Sequence, residues 1–87
     1  MYYVYVLCST HTKELYVGYT SDLRRRLKEH LEGRNRSTRR TEGSWRLIYY
    51  EAFLEKSDAF KREQRLKEHG RARQELFKRL QASLNGC

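Results

Sequence analysis

Two segments rich in tyrosine and valine, MYYVYVLCS (1–9) and ELYVGYT (14–20), are separated only by the polar THTK, and this constrains the fold more than anything else in the chain. Their aromatic and β-branched content predicts strands, and the short connection predicts a hairpin. Alternation sorts the faces. Tyr3, Tyr5 and Leu7 share one side of the first strand, and on the second Tyr16, Gly18 and Thr20 share one side against Leu15, Val17 and Tyr19 on the other. TSDLRRRLKEHLEG then reads as a helix, with Ser21 as N-cap, Asp22 in the first turn and Gly33 as its stop. WRLIYYEAF predicts a third strand. A second helix starts near a Ser57 cap and ends at Gly70, and a third runs from about Arg73 with Leu76, Phe77, Leu80 and Leu84 as its apolar stripe. The expected order is ββαβαα. This is an α+β fold, a small three-stranded antiparallel sheet flanked by helices, with one domain over 1–84 and a tail over 85–87.

Charge narrows the partner. The 87 residues hold 19 Lys and Arg against 11 Asp and Glu, a net +8, and a field of that sign favours a polyanion. Residues 24–40 carry eight of the basic side chains against Glu29 and Glu32, which reads as a footprint for phosphates. The plain alternative is a solvated basic surface. No apolar run approaches the ~20 residues of a membrane span, and the N-terminus lacks the pattern of a signal peptide. Cys8 and Cys87 lack the paired spacing of a zinc site or disulfide framework, so two thiols in a reducing, cytoplasmic setting are expected. His11, His30 and His69 are too scattered to hold a transition metal.

Helical geometry distinguishes the three consecutive arginines. At about 100° per residue, Leu27 and Leu31 fall within about 80° of Leu23 and form the expected buried stripe. Arg26 and His30 stack on one flank of that stripe, whereas Arg24 and Arg25 point toward solvent. Arg26 and His30 are either functional or boundary residues that lay their stems on the core. On the second helix Glu63 falls in the middle of the apolar stripe between Ala59 and Leu66, where an unpaired carboxylate is costly. It must be paired, protonated or bound to a cation. Arg62, Arg65 and Lys67 are expected to point elsewhere, which leaves an internal ion pair to Arg26 as the structural alternative.

YVYVL, then LYVGYTSDLRRRLKEH, then AFKREQRLK in a later helix together resemble the GIY-YIG endonuclease superfamily, in particular its small single-domain bacterial members. The likeness runs from Tyr3 to about Leu80. Val4-Tyr5 and Tyr16-Val17-Gly18 correspond to the two halves of the family name, although the first glycine is missing here. The family's arginine and histidine land on Arg26 and His30, and its metal carboxylate lands on Glu63. The resemblance implies a metal-dependent endonuclease of low sequence specificity acting on DNA, in repair or recombination. It implies catalytic roles for Tyr5, Tyr16, Arg26, His30 and Glu63. Glu63 would hold Mg²⁺, or Mn²⁺ in its place. Arg26 would face the non-bridging oxygens, and Tyr5 or Tyr16 would act as general base or orient the water. A tyrosine base requires a phenol lowered by about three units, through Arg26 and the metal. Gly18 is expected to leave room for the substrate backbone, and Arg34, Arg36, Arg39 and Arg40 to clamp phosphates. The larger relatives add a recognition domain, for which nothing here is expected to serve, and often a later asparagine near the metal carboxylate, a role that the corresponding stretch GRARQELFK leaves empty. The alternatives are a nucleic-acid-binding module of the same fold and an adaptor that docks on a protein through exposed tyrosines. The chain is expected to act as a monomer.

Overall fold

The computed structural model describes residues 1–32 and 45–87. Strands β1 (Tyr2–Ser9), β2 (Leu15–Thr20) and β3 (Trp45–Phe53) form one antiparallel sheet in the order β2-β1-β3. The helices are α1 (Leu23–Leu31), α2 (Lys56–Glu68), α3 (Gly70–Arg79) and a short α4 (Gln81–Asn85). The order is thus ββαβαα, with the last helix broken in two. Among the described residues no helix is long and apolar enough to cross a membrane.

Because β1 is the central strand, it is buried on both faces. On one face Val4, Val6 and Val17 pack with Ala59 and Leu66 of α2 and Leu76 of α3. On the other, Tyr5, Leu7 and Trp45 pack with Tyr16, Leu23, Leu27 and Leu47. The sheet therefore lies between α1 and the α2–α3 pair, and each fully buried aliphatic side chain contributes about 1.5–3 kcal/mol. In β3 the register shifts between Val6 and Leu7, so that Val6 pairs with Tyr49 but Leu7 with Leu47. This bulge lets two successive residues, Ile48 and Tyr49, both pack against the valine face.

The hairpin turn is built by Ser9, whose Oγ accepts from His11 N and Thr12 N at 3.2 Å each. Lys13 adopts φ 66°, the left-handed conformation that closes the turn. At the start of α1 the cap is Asp22, one residue after the expected Ser21, and its Oδ1 accepts from Arg25 N at 3.1 Å. Thr20 fixes that aspartate by accepting from its N–H at 3.0 Å. Ser57 is likewise not a cap: α2 begins at Lys56 after Glu55, and no side chain caps it. The next helix starts at Gly70, three residues before its expected start.

Two further contacts tie the elements together, and the first corrects the sequence reading. Cys8 and Cys87 are joined in a disulfide, with Cα atoms 6.3 Å apart, rather than being two thiols. The chain path brings α4 back to the end of β1, which is within the reach of a disulfide and cannot be inferred from residues 79 apart in sequence. Arg46 Nη1 donates to Gly86 O at 3.1 Å, and Lys13 Nζ donates to Cys87 O, so the C-terminal tail is tied to the hairpin and to β3. The second contact lies between β3 and α2. Arg62 donates from Nε and Nη2 to the Glu51 carboxylate at 2.9–3.1 Å, and Tyr49 O–H donates to Glu51 Oε2 at 2.7 Å.

Candidate active site

The register of the hairpin places Tyr5 directly opposite Gly18 and Leu7 opposite Tyr16, so both tyrosines stand on the α1 face of the sheet. A Cβ on Gly18 would lie 2.3 Å from Tyr5 Cζ and hydroxyl and 2.9 Å from Tyr16 Cε1. The space over the glycine is thus filled by the Tyr5 ring, and it does not remain open to a substrate backbone. Glycine is required here by close packing rather than by its backbone conformation.

α1 brings His30 over this pair. His30 is 3% exposed, and its Nε2 lies 2.9 Å from the Tyr5 hydroxyl, with the imidazole tautomer deciding which of the two donates. The rings of Tyr5, Tyr16 and His30 form a triangle with centroids 6.2, 5.7 and 5.1 Å apart. Leu31, expected in the buried stripe, is instead 65% exposed, and His30 takes the last inward position of the helix. Arg24 and Arg25 are exposed and Arg26 is half-buried, as the helical wheel requires. Arg26 Nη1 reaches Glu29 Oε1 at 3.4 Å, while its Nε is a buried donor with no hydrogen-bond partner among the described residues. Such a donor, left unpaired, costs stability.

Glu63 comes to the same region from α2. Its Oε2 pairs with Lys67 Nζ at 3.3 Å, and that ammonium stands 5.7 Å from the centroid of the Tyr16 ring. This corrects two expectations. Lys67 does not point away, because i and i+4 share a helix face, and the carboxylate takes this local partner rather than Arg26. The other arginine near it in sequence, Arg62, is committed to Glu51.

Electrostatics set the protonation of the pair at the centre. Burial, above all, and the neighbouring Tyr16, Glu63 and Glu29 raise the Tyr5 phenol far above its usual value, against the opposing pull of Arg26. The expected lowering of a tyrosine base therefore does not occur at Tyr5 in the free protein. Burial and Arg26 lower the pKa of His30, partly opposed by Glu29. A neutral imidazole thus faces a neutral phenol.

The donor set also bears on a metal. Among the described residues no three His, Cys, Asp or Glu side chains are grouped to cage an ion. A lone hard carboxylate such as Glu63 fits Mg²⁺, which keeps most of its waters and shares the remainder with substrate phosphate, and does not fit a structural zinc. Arg34, Arg36, Arg39 and Arg40, the expected phosphate clamp, lie outside the described residues.

The Tyr49–Glu51–Arg62 cluster was not among the expected functional residues. One signal was present in the sequence: Glu51 occupies the inward position between Tyr49 and Phe53 in the alternation of β3.

Comparison with known proteins places this geometry in context. The model of the GIY-YIG catalytic domain matches residues 1–77. A UPF0213 protein of Halobacterium salinarum is 41% identical over 78 residues, covering 88% of this chain and 99% of its own. A UPF0213 protein of Oceanobacillus iheyensis is 36% identical over 67 residues, 77% of each chain. Among solved structures, the solution NMR structure of a UPF0213 protein from Bacillus halodurans is similar with a TM-score of 0.55 and 35% identity, covering 92% of this chain and 85% of that one.

Proposed function

We propose, from the premise that this chain belongs to the GIY-YIG family and has its nuclease-type fold, that it is a metal-dependent endonuclease cutting phosphodiester bonds in DNA with low sequence specificity. The observation that carries this reading is convergence. Arg26 from α1 and Glu63 from α2 both act on the Tyr5 hydroxyl, which is bonded to His30 and beside Tyr16.

Each residue then has a distinct task. Tyr5 is 1% exposed and cannot meet bulk water, whereas Tyr16 is only partly buried, so Tyr16 is the phenol that receives or orients the attacking water. Tyr5 and neutral His30 hold that wall of the site through the contact between the Tyr5 hydroxyl and Nε2. Arg26 offers its guanidinium to the charge that grows on the phosphate oxygens. Glu63 would hold Mg²⁺ or Mn²⁺, which when bound neutralises phosphate charge and assists the leaving oxygen. An ion on Glu63 would compete with Lys67, whose ammonium already pairs with Oε2. We take the protein to serve in repair or recombination and to act as a monomer.

The test is incubation with labelled single-stranded, duplex and branched DNA in Mg²⁺, Mn²⁺ or EDTA, using wild type and Glu63→Gln. Metal-dependent cleavage by wild type, lost in the variant while binding in EDTA survives, supports the nuclease. Retention without cleavage supports a nucleic-acid-binding module instead, the reading favoured by the ammonium already seated on Glu63.

A further inference from the structure

A second basic surface lies on the far side of α2. Arg62 and Arg65 of α2, His69 at the corner between the helices, and Arg71, Glu75 and Arg79 of α3 line a groove of about 500 Å³. On the α2 wheel Arg65 and His69 fall within about 60° of Arg62, while Glu63 and Lys67 fall about 100–140° to the other side. Buried Ala59 and Leu66 separate the two sets. The groove is therefore distinct from the tyrosine site.

Its charge is only partly satisfied internally. Arg62 is held by Glu51, and Arg71 pairs with Glu75 at 3.4 Å in an exposed, weak contact. The side chains of Arg65, His69 and Arg79 have no hydrogen-bond or ion-pair partner among the described residues. The two surfaces are also joined by charge. At the α2–α3 corner Arg73 Nη1 donates to Lys67 O at 3.0 Å, and Lys67 and Arg73 line a smaller cavity beside Tyr16. The first turn of α3 adds the partial positive charge of its free N–H groups at that corner. Cations thus run from Tyr16 through Lys67 and Arg73 to Arg71, Arg65 and Arg79.

We propose that this groove is a phosphate track for single-stranded nucleic acid, which leaves the tyrosine site, turns around the α2–α3 corner and is gripped by Arg65 and Arg79. The inference rests on the nuclease reading for its partner and goes beyond it by naming the form of the substrate. A helix is about 10–12 Å thick with its side chains, so the track must bend sharply within that distance. A duplex with a persistence length of about 50 nm cannot follow such a path, and a single strand can. The contacts are to the backbone, so they carry no sequence preference.

The experiment measures binding in EDTA, which removes cleavage from the readout. Oligodeoxythymidylates of about four and about sixteen nucleotides, and a duplex of the longer length, are titrated against wild type and the double variant Arg65→Gln, Arg79→Gln over a range of salt. Both positions are exposed, and a thermal melt checks that the variant folds. For the long single strand, affinity should fall and the slope of log K against log salt should flatten by about 0.7 per lost contact. The short strand and the duplex should be unaffected. An unchanged slope on the long strand, or an equal loss on the duplex, overturns the track while leaving the nuclease reading intact. A wild-type protein that retains no strand of any kind overturns both.

Discussion

Replacing Gly18 with alanine tests the centre of the site without relying on any activity. The new Cβ would stand 2.3 Å from the Tyr5 ring and hydroxyl, closer than carbon atoms can approach, so the phenol must move. Tyr5 is 1% exposed and packed on Leu7 and Trp45, which leaves it little room to retreat. Overpacking a core costs about 1–3 kcal/mol, and moving the hydroxyl off His30 costs about 1–3 kcal/mol more. Against this, alanine is easier to order than glycine by roughly 0.5–1 kcal/mol. The net loss is about 1–5 kcal/mol, or roughly 4–40 °C in Tm for a domain of this size. Thermal and urea melts of Gly18→Ala, of Tyr5→Ala and of the double variant measure it. In the Tyr5→Ala background the 2.3 Å clash is gone and only the 2.9 Å approach to the partly buried Tyr16 ring remains, so the glycine change should cost much less, giving a coupling of about 1 kcal/mol or more. A single Gly18→Ala variant that melts within about 0.5 kcal/mol of wild type would refute the packing argument.

The remaining predictions concern protonation, the disulfide and the arginine triplet. Because the folded pKa of His30 is depressed, its contribution to stability is fully present above the unfolded value of about 6.5 and is lost as pH falls from there through the folded pKa. Melts of wild type should show this decline and those of His30→Asn should lack it. Cys87→Ser opens a ring closed between residues 79 apart, which should cost about 4–5 kcal/mol by loop entropy, read as a lower urea midpoint that reduction of wild type reproduces. Arg26→Ala should slow cleavage about a hundredfold or more, whereas Arg24→Ala and Arg25→Ala should mainly weaken binding. Similar modest losses at all three positions would make the triplet a solvated face.

What was legible in the sequence was local and periodic. Two-residue alternation puts Tyr16 and Gly18 on one side of their strand and Tyr5 with Leu7 on one side of its own, and the helical period separates Arg26 from Arg24 and Arg25, because both signals depend only on neighbours in the chain; that the two strand sides form one face is set by the hairpin register. Ser21 and Asp22 are both good caps, and only the Thr20 contact selects the second. Leu31 was misplaced because the wheel cannot show where the sheet beneath a helix ends. The β3 bulge, the disulfide and the Arg62–Glu51 pair depend on chain path and strand pairing, which no local pattern encodes. Lys67 was missed for another reason: wheel angles place the base of a side chain, and a flexible lysine reaches well beyond its own sector.

The Arg62–Glu51 contact has a mechanical consequence. Ala59 and Leu66 give α2 a small, smooth seat on the sheet, and apolar contact of that kind is non-directional, so it does little to stop the helix rolling about its own axis. A two-pronged guanidinium on a carboxylate is directional, and Tyr49 braces that carboxylate from the sheet side. It works as a key in a shaft. Successive residues are about 100° apart, so fixing the azimuth of Arg62 fixes that of Glu63 beside it. A roll of about 20° at a radius of about 6 Å would carry the Glu63 carboxylate about 2 Å, enough to take it out of register with Tyr5 and Tyr16. The aim of the carboxylate on one side of the helix is therefore held by a pairing on the other side, which touches none of the groups it positions.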